Sequence, residues 1–310
     1  MESSHLIHPE EVNEKSLKII IYLLFTYFVI EIIIGIWARS VAVIGDAFHS
    51  FTAVGGVLIA LIAGQFARKK ANYIQTFGLI RAEIVGVLLN SLLLFLMAGF
   101  VIWRGILRLQ NPTEVILFPM FLAAAGGIIF GFISMGILWK KQKDNLGMKG
   151  AFWHVLQTSV SSVLVLVAAL SIKVTGFFVI DSLLGILFGL VLIVLAGNLL
   201  KSALNIILEK VPKDVNLKKV MKELKNLSGV KDIHHIHAWS LTSGKNIFSA
   251  HVLISDIKKS KSLQEKIHNI LKNKFKFYFS TVQLEVNCLD EEDAKDINLN
   301  LNKDDSKKWD

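Results

Sequence analysis

Two histidines stand alone in long apolar stretches. His49 lies in SVAVIGDAFHSFTAVGGVLIALIAGQF, residues 40–66, and His154 lies in residues 152–172, which contain FWHVLQTSVSSV. They are the only histidines in the membrane-like part of the chain. An ionisable side chain in a membrane span costs free energy, so its presence there is by default a mark of function. Imidazole ligates metal ions and titrates near about pH 6.5, which allows proton exchange at the same site. On a helix, positions i and i+4 share a face. Two helices carrying ligands at that spacing can therefore present four donors to one tetrahedral ion, the geometry that Zn²⁺ adopts. The plainer alternative is two neutral rings hydrogen-bonded between helices. Asp46, three residues before His49, lies on a neighbouring face about one turn away.

These helices need a bundle around them. The chain has 310 residues, 53% of them hydrophobic, and the apolar residues gather into runs long enough for a bilayer core, which takes about 20 residues per helix. Six spans are expected: residues 17–37, 40–66, 84–106, 115–138, 152–172 and 177–200. The first carries Glu31, read as a polar contact between helices or as a proton site. The fourth is rich in glycine (Gly126, Gly127, Gly131, Gly136), as close helix contact would require.

Basic residues set the orientation. Arg68, Lys69, Lys70 and Arg81 fall in one loop and Lys140, Lys141, Lys143 and Lys149 in another, against Arg39, Arg104, Arg108 and Lys173 on the opposite side. An integral, multi-pass membrane protein with both termini in the cytoplasm satisfies the positive-inside rule. The net charge of +9 has its origin there. Nucleic-acid binding is excluded because the basic stretches lack interleaved stacking aromatics. The polar N-terminus lacks the basic start and cleavage site of a signal peptide, so the first span is expected to stay in the mature protein. No phosphate loop or nucleophile–base motif appears, and the chain is not read as an enzyme. The single cysteine, Cys288, excludes an intrachain disulfide and a multi-cysteine metal site.

Past Pro212 the pattern becomes that of a small α+β domain. Residues 214–227 read as an amphipathic helix capped at Asp214. Residues 230–241 and 247–255 read as strands joined by the turn Thr242-Ser243-Gly244-Lys245. Residues 260–273 read as a second helix and 276–286 as a third strand, with Val282, Leu284 and Val286 on one face and Thr281, Gln283 and Glu285 on the other. Strict alternation would send neighbours in the HHIH run to opposite faces, and that run could be no more than a polar strand edge. The division expected is an N-terminal cytoplasmic segment (1–16), a transmembrane domain (17–210), a cytoplasmic domain (211–288) and a disordered tail (289–310).

Several stretches resemble the cation diffusion facilitator transporters. SVAVIGDAFHSFTA is similar to their second helix, FGLIRAEIVGVLLNSLLL to their third, WHVLQTSVSSV to their fifth, and DSLLGILFGLVLIVLAGNLLKSALNIILEKVP to their sixth and its linker. GVKDIHHIHAWSLTSG and TVQLE resemble their cytoplasmic domain. The colinear motifs most resemble the cobalt–zinc–cadmium exporter branch. The resemblance implies a membrane all-α six-helix bundle followed by a cytoplasmic α+β domain of the ferredoxin or metallochaperone type. It further implies efflux of divalent metal, chiefly zinc, in exchange for protons, by a dimer.

In that family the membrane site is His-x-x-x-Asp on the second helix and again on the fifth. Here the histidines match as His49 and His154, but the aspartate positions hold Ala53 and Thr158. Two neutral imidazoles leave a dication uncompensated in a low-dielectric setting, at a cost of several kcal/mol. Thr158 and Gln157 offer neutral oxygen, and Asp46, an acid the family also has, is the best substitute carboxylate. Two readings stand: an altered, weaker site that still moves a cation, or a subunit that binds metal without transporting it and partners a competent relative as a homodimer or heterodimer.

The family's cytoplasmic metal site maps onto His234, His251 and Glu285, with His235 and His237 as further candidates. A further family histidine near the third strand is replaced by Tyr278. Zn²⁺ or another divalent cation is thus expected as substrate or regulator.

Overall fold

The computed structural model describes residues 14–67, 71–141 and 146–288. The N-terminal segment, Arg68-Lys69-Lys70, Lys143 and the tail beyond Cys288 lie outside them. The chain forms two compact units, one of Met1–Asn72 with Val85–Lys201, the other of Tyr73–Ile84 with Ser202–Asp310.

The first unit is helical. Among the described residues the apolar runs form α1 (Glu14–Ala38), α2 (Val41–Ala67), α3 (Ala82–Gln110), α4 (Leu117–Lys141), α5 (Leu146–Thr175) and α6 (Val179–Ile207). Among the described residues, four stretches are long and apolar enough to cross a membrane: Ala82–Gln110, Leu117–Gly136, Val155–Thr175 and Val179–Ile207. Phe25–Ala38 is a shorter apolar helix.

A buried acid organises the start of α2. Arg39 ends α1 in the left-handed region (φ 53°), and Ser40 Oγ then accepts from Val43 N at 3.0 Å as an N-cap. Asp181, buried in the first turn of α6, accepts from the Ser40 hydroxyl and from the backbone N–H groups of Val41 (2.7 Å) and Ala42 (3.3 Å). A carboxylate at a helix N-terminus satisfies orphan donors and faces the positive end of the helix dipole. Arg108 of α3 lies 3.4 Å from the same carboxylate.

Helices α4 and α5 approach closely at two of the four glycines expected to do so. A Cβ on Gly127 would collide with Ser162, and one on Gly131 with Ser159. At Gly126 and Gly136 an added Cβ would meet nothing within 4 Å, so those two are not contact glycines.

The second unit packs α7 (Leu217–Lys225) and α8 (Ser260–Asn269) on a sheet of β1 (Val230–Thr242), β2 (Lys245–Ile254) and β3 (Phe279–Glu285) in the order β1-β2-β3. β1 and β2 are antiparallel, joined at Gly244, whose φ of 73° is the left-handed turn conformation. β2 and β3 are parallel, which requires the crossover that α8 supplies. Val220 and Leu224 of α7 and Leu263 and Ile267 of α8 close the core on Phe248, Ala250 and Val252.

The helix cap differs from expectation. α7 begins later, and its N-cap is Asn216, whose side chain accepts from Lys219 N at 3.0 Å. Asp214 instead accepts from Asn246 Nδ2 at 3.0 Å, because Pro212 and the turn after it come before the helix and not inside it. The segment Tyr73–Ile84 joins this unit through Arg81, 3.0 Å from Glu209, and through Glu83, which accepts from the Thr242 hydroxyl.

Candidate metal sites

In the helical unit the acid of SVAVIGDAFH binds α2 to α5. Asp46 accepts from the hydroxyls of Ser161 and Ser162, the latter at 3.2 Å. On α1, buried Glu31 accepts from Tyr27 of the same helix at 3.0 Å, and its other oxygen is buried without a hydrogen bond.

That clamp sets the register around His49. α2 and α5 run antiparallel, since each runs antiparallel to a neighbour (α2 to α1, where the Phe28 and Phe51 rings lie 4.9 Å apart; α5 to α4) while α1 and α4, in contact through Tyr27 and Phe130, are themselves antiparallel. One turn beyond Asp46 stands His49, 7% exposed; one turn back from Ser161 and Ser162 stands Thr158, 6% exposed. His49 and Thr158 therefore share a level. At a rise of roughly 1.5 Å per residue, His154 falls about 6 Å further along α5, level with position 53. The side chains of His154 and Ala53 lie outside the described residues.

In the α+β unit three of the expected ligands converge. Among the described residues, the ligand atoms of His234, His251 and Glu285 all lie within 4.8 Å of one another. Sheet register brings them there: His234 is the cross-strand partner of His251, and His251 that of Gln283, two residues before Glu285. Nε2 of His234 is 2.9 Å from Oε1 of Glu285, and Nδ1 of His251 is 3.8 Å from Oε2. Gln283 Nε2 donates to that Oε2 at 3.3 Å and orients the carboxylate. Oε1 of Glu285 and Nδ1 of His251 are buried and make no hydrogen bond. Imidazole nitrogens and a carboxylate at these separations are a donor set for Zn²⁺ or a similar ion.

Strict alternation fails along HHIH. Ile233, Ile236 and Ala238 all enter the core, which is possible only because one extra residue is absorbed between His234 and His237. That residue is His235, with φ 47°, a bulge of the kind that re-aims side chains. Its ring lies 5.6 Å from that of His234 and 5.2 Å from that of His251, on the same side as both and not the opposite one. Apolar spacing of three and then two is the sequence sign of such a bulge.

His237 lines a separate cleft with Glu209, Val211, Leu217 and Trp239. Burial, with His235 and His251 nearby, pulls its imidazole below the ordinary value, and Glu209 opposes this. Tyr278 is exposed before β3, with Lys245 Nζ 5.1 Å from its ring centre. Two residues were missed. Asp181 carried no metal-like spacing. Cys288, whose Sγ is 3.4 Å from His234 Nε2, entered the sequence reading only as the single cysteine that excludes an intrachain disulfide and a multi-cysteine site, although it follows Glu285 by three positions.

The comparisons agree with both halves. Residues 17–208 match the cation efflux transmembrane domain and residues 212–287 match the cytoplasmic domain of cation efflux proteins. The metal cation efflux system protein CzcD of Cupriavidus metallidurans is 36% identical over 284 residues, 91% of this chain and 90% of CzcD. A cadmium, cobalt and zinc/H⁺-K⁺ antiporter of Bacillus subtilis is 30% identical over 292 residues, 93% of this chain and 94% of its own length. The zinc transporter ZitB of Escherichia coli is 28% identical over 285 residues, covering 91% and 90%. The chain belongs to the cation diffusion facilitator (cation efflux) family, in its cobalt–zinc–cadmium branch, and is an integral membrane protein.

Proposed function

We propose that this chain exports a divalent metal cation, zinc foremost, in exchange for protons across a membrane that it crosses six times with both termini in the cytoplasm. The observation that carries this reading is similarity running through both domains to relatives named for metal cation efflux, zinc transport and cadmium, cobalt and zinc antiport. It acts as a dimer and not as an enzyme, with its cytoplasmic domain, matched over residues 212–287, paired between subunits.

The ion is held by His49 and His154. Thr158, level with His49, adds a neutral oxygen, and Asp46 stands one turn away. Both carboxylate oxygens of Asp46 face serine hydroxyls, so its first task is to hold α2 against α5. Protonation of the imidazoles on one side of the membrane releases the cation. A dication between two neutral rings keeps its charge, so the site binds more weakly than one with two acids. The cluster of His234, His251 and Glu285 holds a second ion that stabilises or regulates the cytoplasmic domain.

One observation favours a second reading. Ala53 and Thr158 stand where the family places its aspartates, and a subunit silent in transport that partners a competent relative fits that loss. Uptake of Zn²⁺, Co²⁺, Cd²⁺ and Mn²⁺ into vesicles containing the purified chain, with a pH gradient and beside a competent relative, decides between them. Flux of any of these ions supports transport. Flux for none, with an active control, supports the silent subunit.

A further inference from the structure

We propose that Cys288 is the fourth donor of the cytoplasmic site, which makes it a two-histidine, carboxylate, thiolate site for a borderline or soft divalent cation. This rests on the metal reading of His234, His251 and Glu285, and adds to it the residue that sets the site's selectivity.

The geometry leads there. A tetrahedral Zn²⁺ with nitrogen at about 2.0 Å and sulfur at about 2.3 Å has an N···S edge of roughly 3.5 Å. The Cys288 Sγ to His234 Nε2 distance is 3.4 Å. The corresponding N···O edge is roughly 3.3 Å; one oxygen of Glu285, Oε1, stands 2.9 Å from His234 Nε2, and the other, Oε2, stands 3.8 Å from His251 Nδ1. Independent of the cysteine, two donor atoms at this place are buried without a hydrogen bond, Oε1 of Glu285 and Nδ1 of His251, and Glu285 is 4% exposed. Cys288 itself is exposed, and it reaches the His234 ring from the segment that follows β3.

Charge and softness point the same way. Glu285 and a Cys288 thiolate together carry two negative charges and neutralise a dication, which three ligands with one carboxylate do not. A thiolate also biases the set toward Zn²⁺ and Cd²⁺ and away from Mn²⁺ and Mg²⁺, which favour oxygen. Loading releases the thiol proton to solvent.

The chain has a single cysteine, so any thiolate–metal signal reports on Cys288. The test is titration of the chelator-stripped full chain in detergent with Co²⁺ and with Cd²⁺, following thiolate-to-metal charge-transfer absorption and bound metal by elemental analysis. The expected result is one charge-transfer band that is lost in Cys288→Ser and also in His234→Ala and Glu285→Ala. Cd²⁺ affinity should fall by about a hundredfold in Cys288→Ser while Mn²⁺ affinity changes by less than about threefold. Metal bound with no charge-transfer band, and lost in Glu285→Ala, overturns the role of Cys288 and leaves the three-ligand site standing. A band that survives His234→Ala and Glu285→Ala also overturns it. Absence of bound metal overturns both.

Discussion

Nε2 of His234 lies 2.9 Å from Oε1 of Glu285, although the two residues come from the first and the last strand of the sheet. β2 stands between those strands and contributes His251. Two cross-strand registers must therefore both be right before the cluster exists, and a slip of one residue in either would turn a ligand to the core face.

Zinc should stabilise the cytoplasmic domain through that pair. At about a hundred times its Kd, a ligand that binds only the folded state adds about 2.7 kcal/mol. Thermal melting of the chelator-stripped chain with and without Zn²⁺ should show an upward shift that chelator reverses. Glu285→Ala should lose the shift at the same zinc concentration. An equal shift in the variant would count against the carboxylate as a ligand.

Asp181 should matter for stability while leaving metal binding in the cytoplasmic domain alone. Its carboxylate takes up the Val41 and Ala42 N–H groups and the Ser40 hydroxyl, with Arg108 beside it. Asp181→Ala leaves those donors without their acceptor and the largely buried Arg108 guanidinium, which keeps the Arg39 carbonyl, without its carboxylate, a loss of about 3–5 kcal/mol. The melting transition of the detergent-solubilised chain should fall by several degrees or more. A transition within error of wild type would remove the clamp from the account.

His237 should make the cytoplasmic domain sensitive to acid. Its burial, with His235 and His251 alongside, lowers the proton affinity of the folded state. The unfolded chain then binds more protons below about pH 6.5, the ordinary histidine value. Stability therefore rises with pH through that window, levels off above it, and is lost as pH falls. Denaturation of metal-free protein across this range should show a smaller pH dependence in His237→Gln. An unchanged slope would locate the acid sensitivity elsewhere.

Restoring the two acids should strengthen the membrane site. Asp46 and its two serines fix α2 against α5 so that positions 49 and 158, and then 53 and 154, share levels. Ala53→Asp with Thr158→Asp neutralises a bound dication and should raise zinc affinity by about tenfold or more. Competition against a chelating dye checks this, and unchanged affinity would mean that the two helices do not hold the expected register.

The helices were legible because long apolar runs leave few alternatives; the expected runs are helical, and among the described residues four are long and apolar enough to cross a membrane. The three strands were legible from alternation, and so were the faces of β3, where Val282 and Leu284 pack on the core. What escaped was local. The bulge at His235 depends on a positive φ that no single residue type announces, and the α7 cap moved from Asp214 to Asn216 because two capping residues stand two positions apart. Asp181 escaped because its donors are contributed by residues about 140 positions away. Cys288 escaped because its meaning depends on His234, a neighbour only in the folded sheet.

The most direct test of transport at a two-histidine site is the initial rate of pH-gradient-driven Zn²⁺ uptake into vesicles holding wild type or His49→Ala. The expected result is uptake by wild type that collapses with the gradient and falls to background in the variant. Uptake by the variant at the wild-type rate would contradict it.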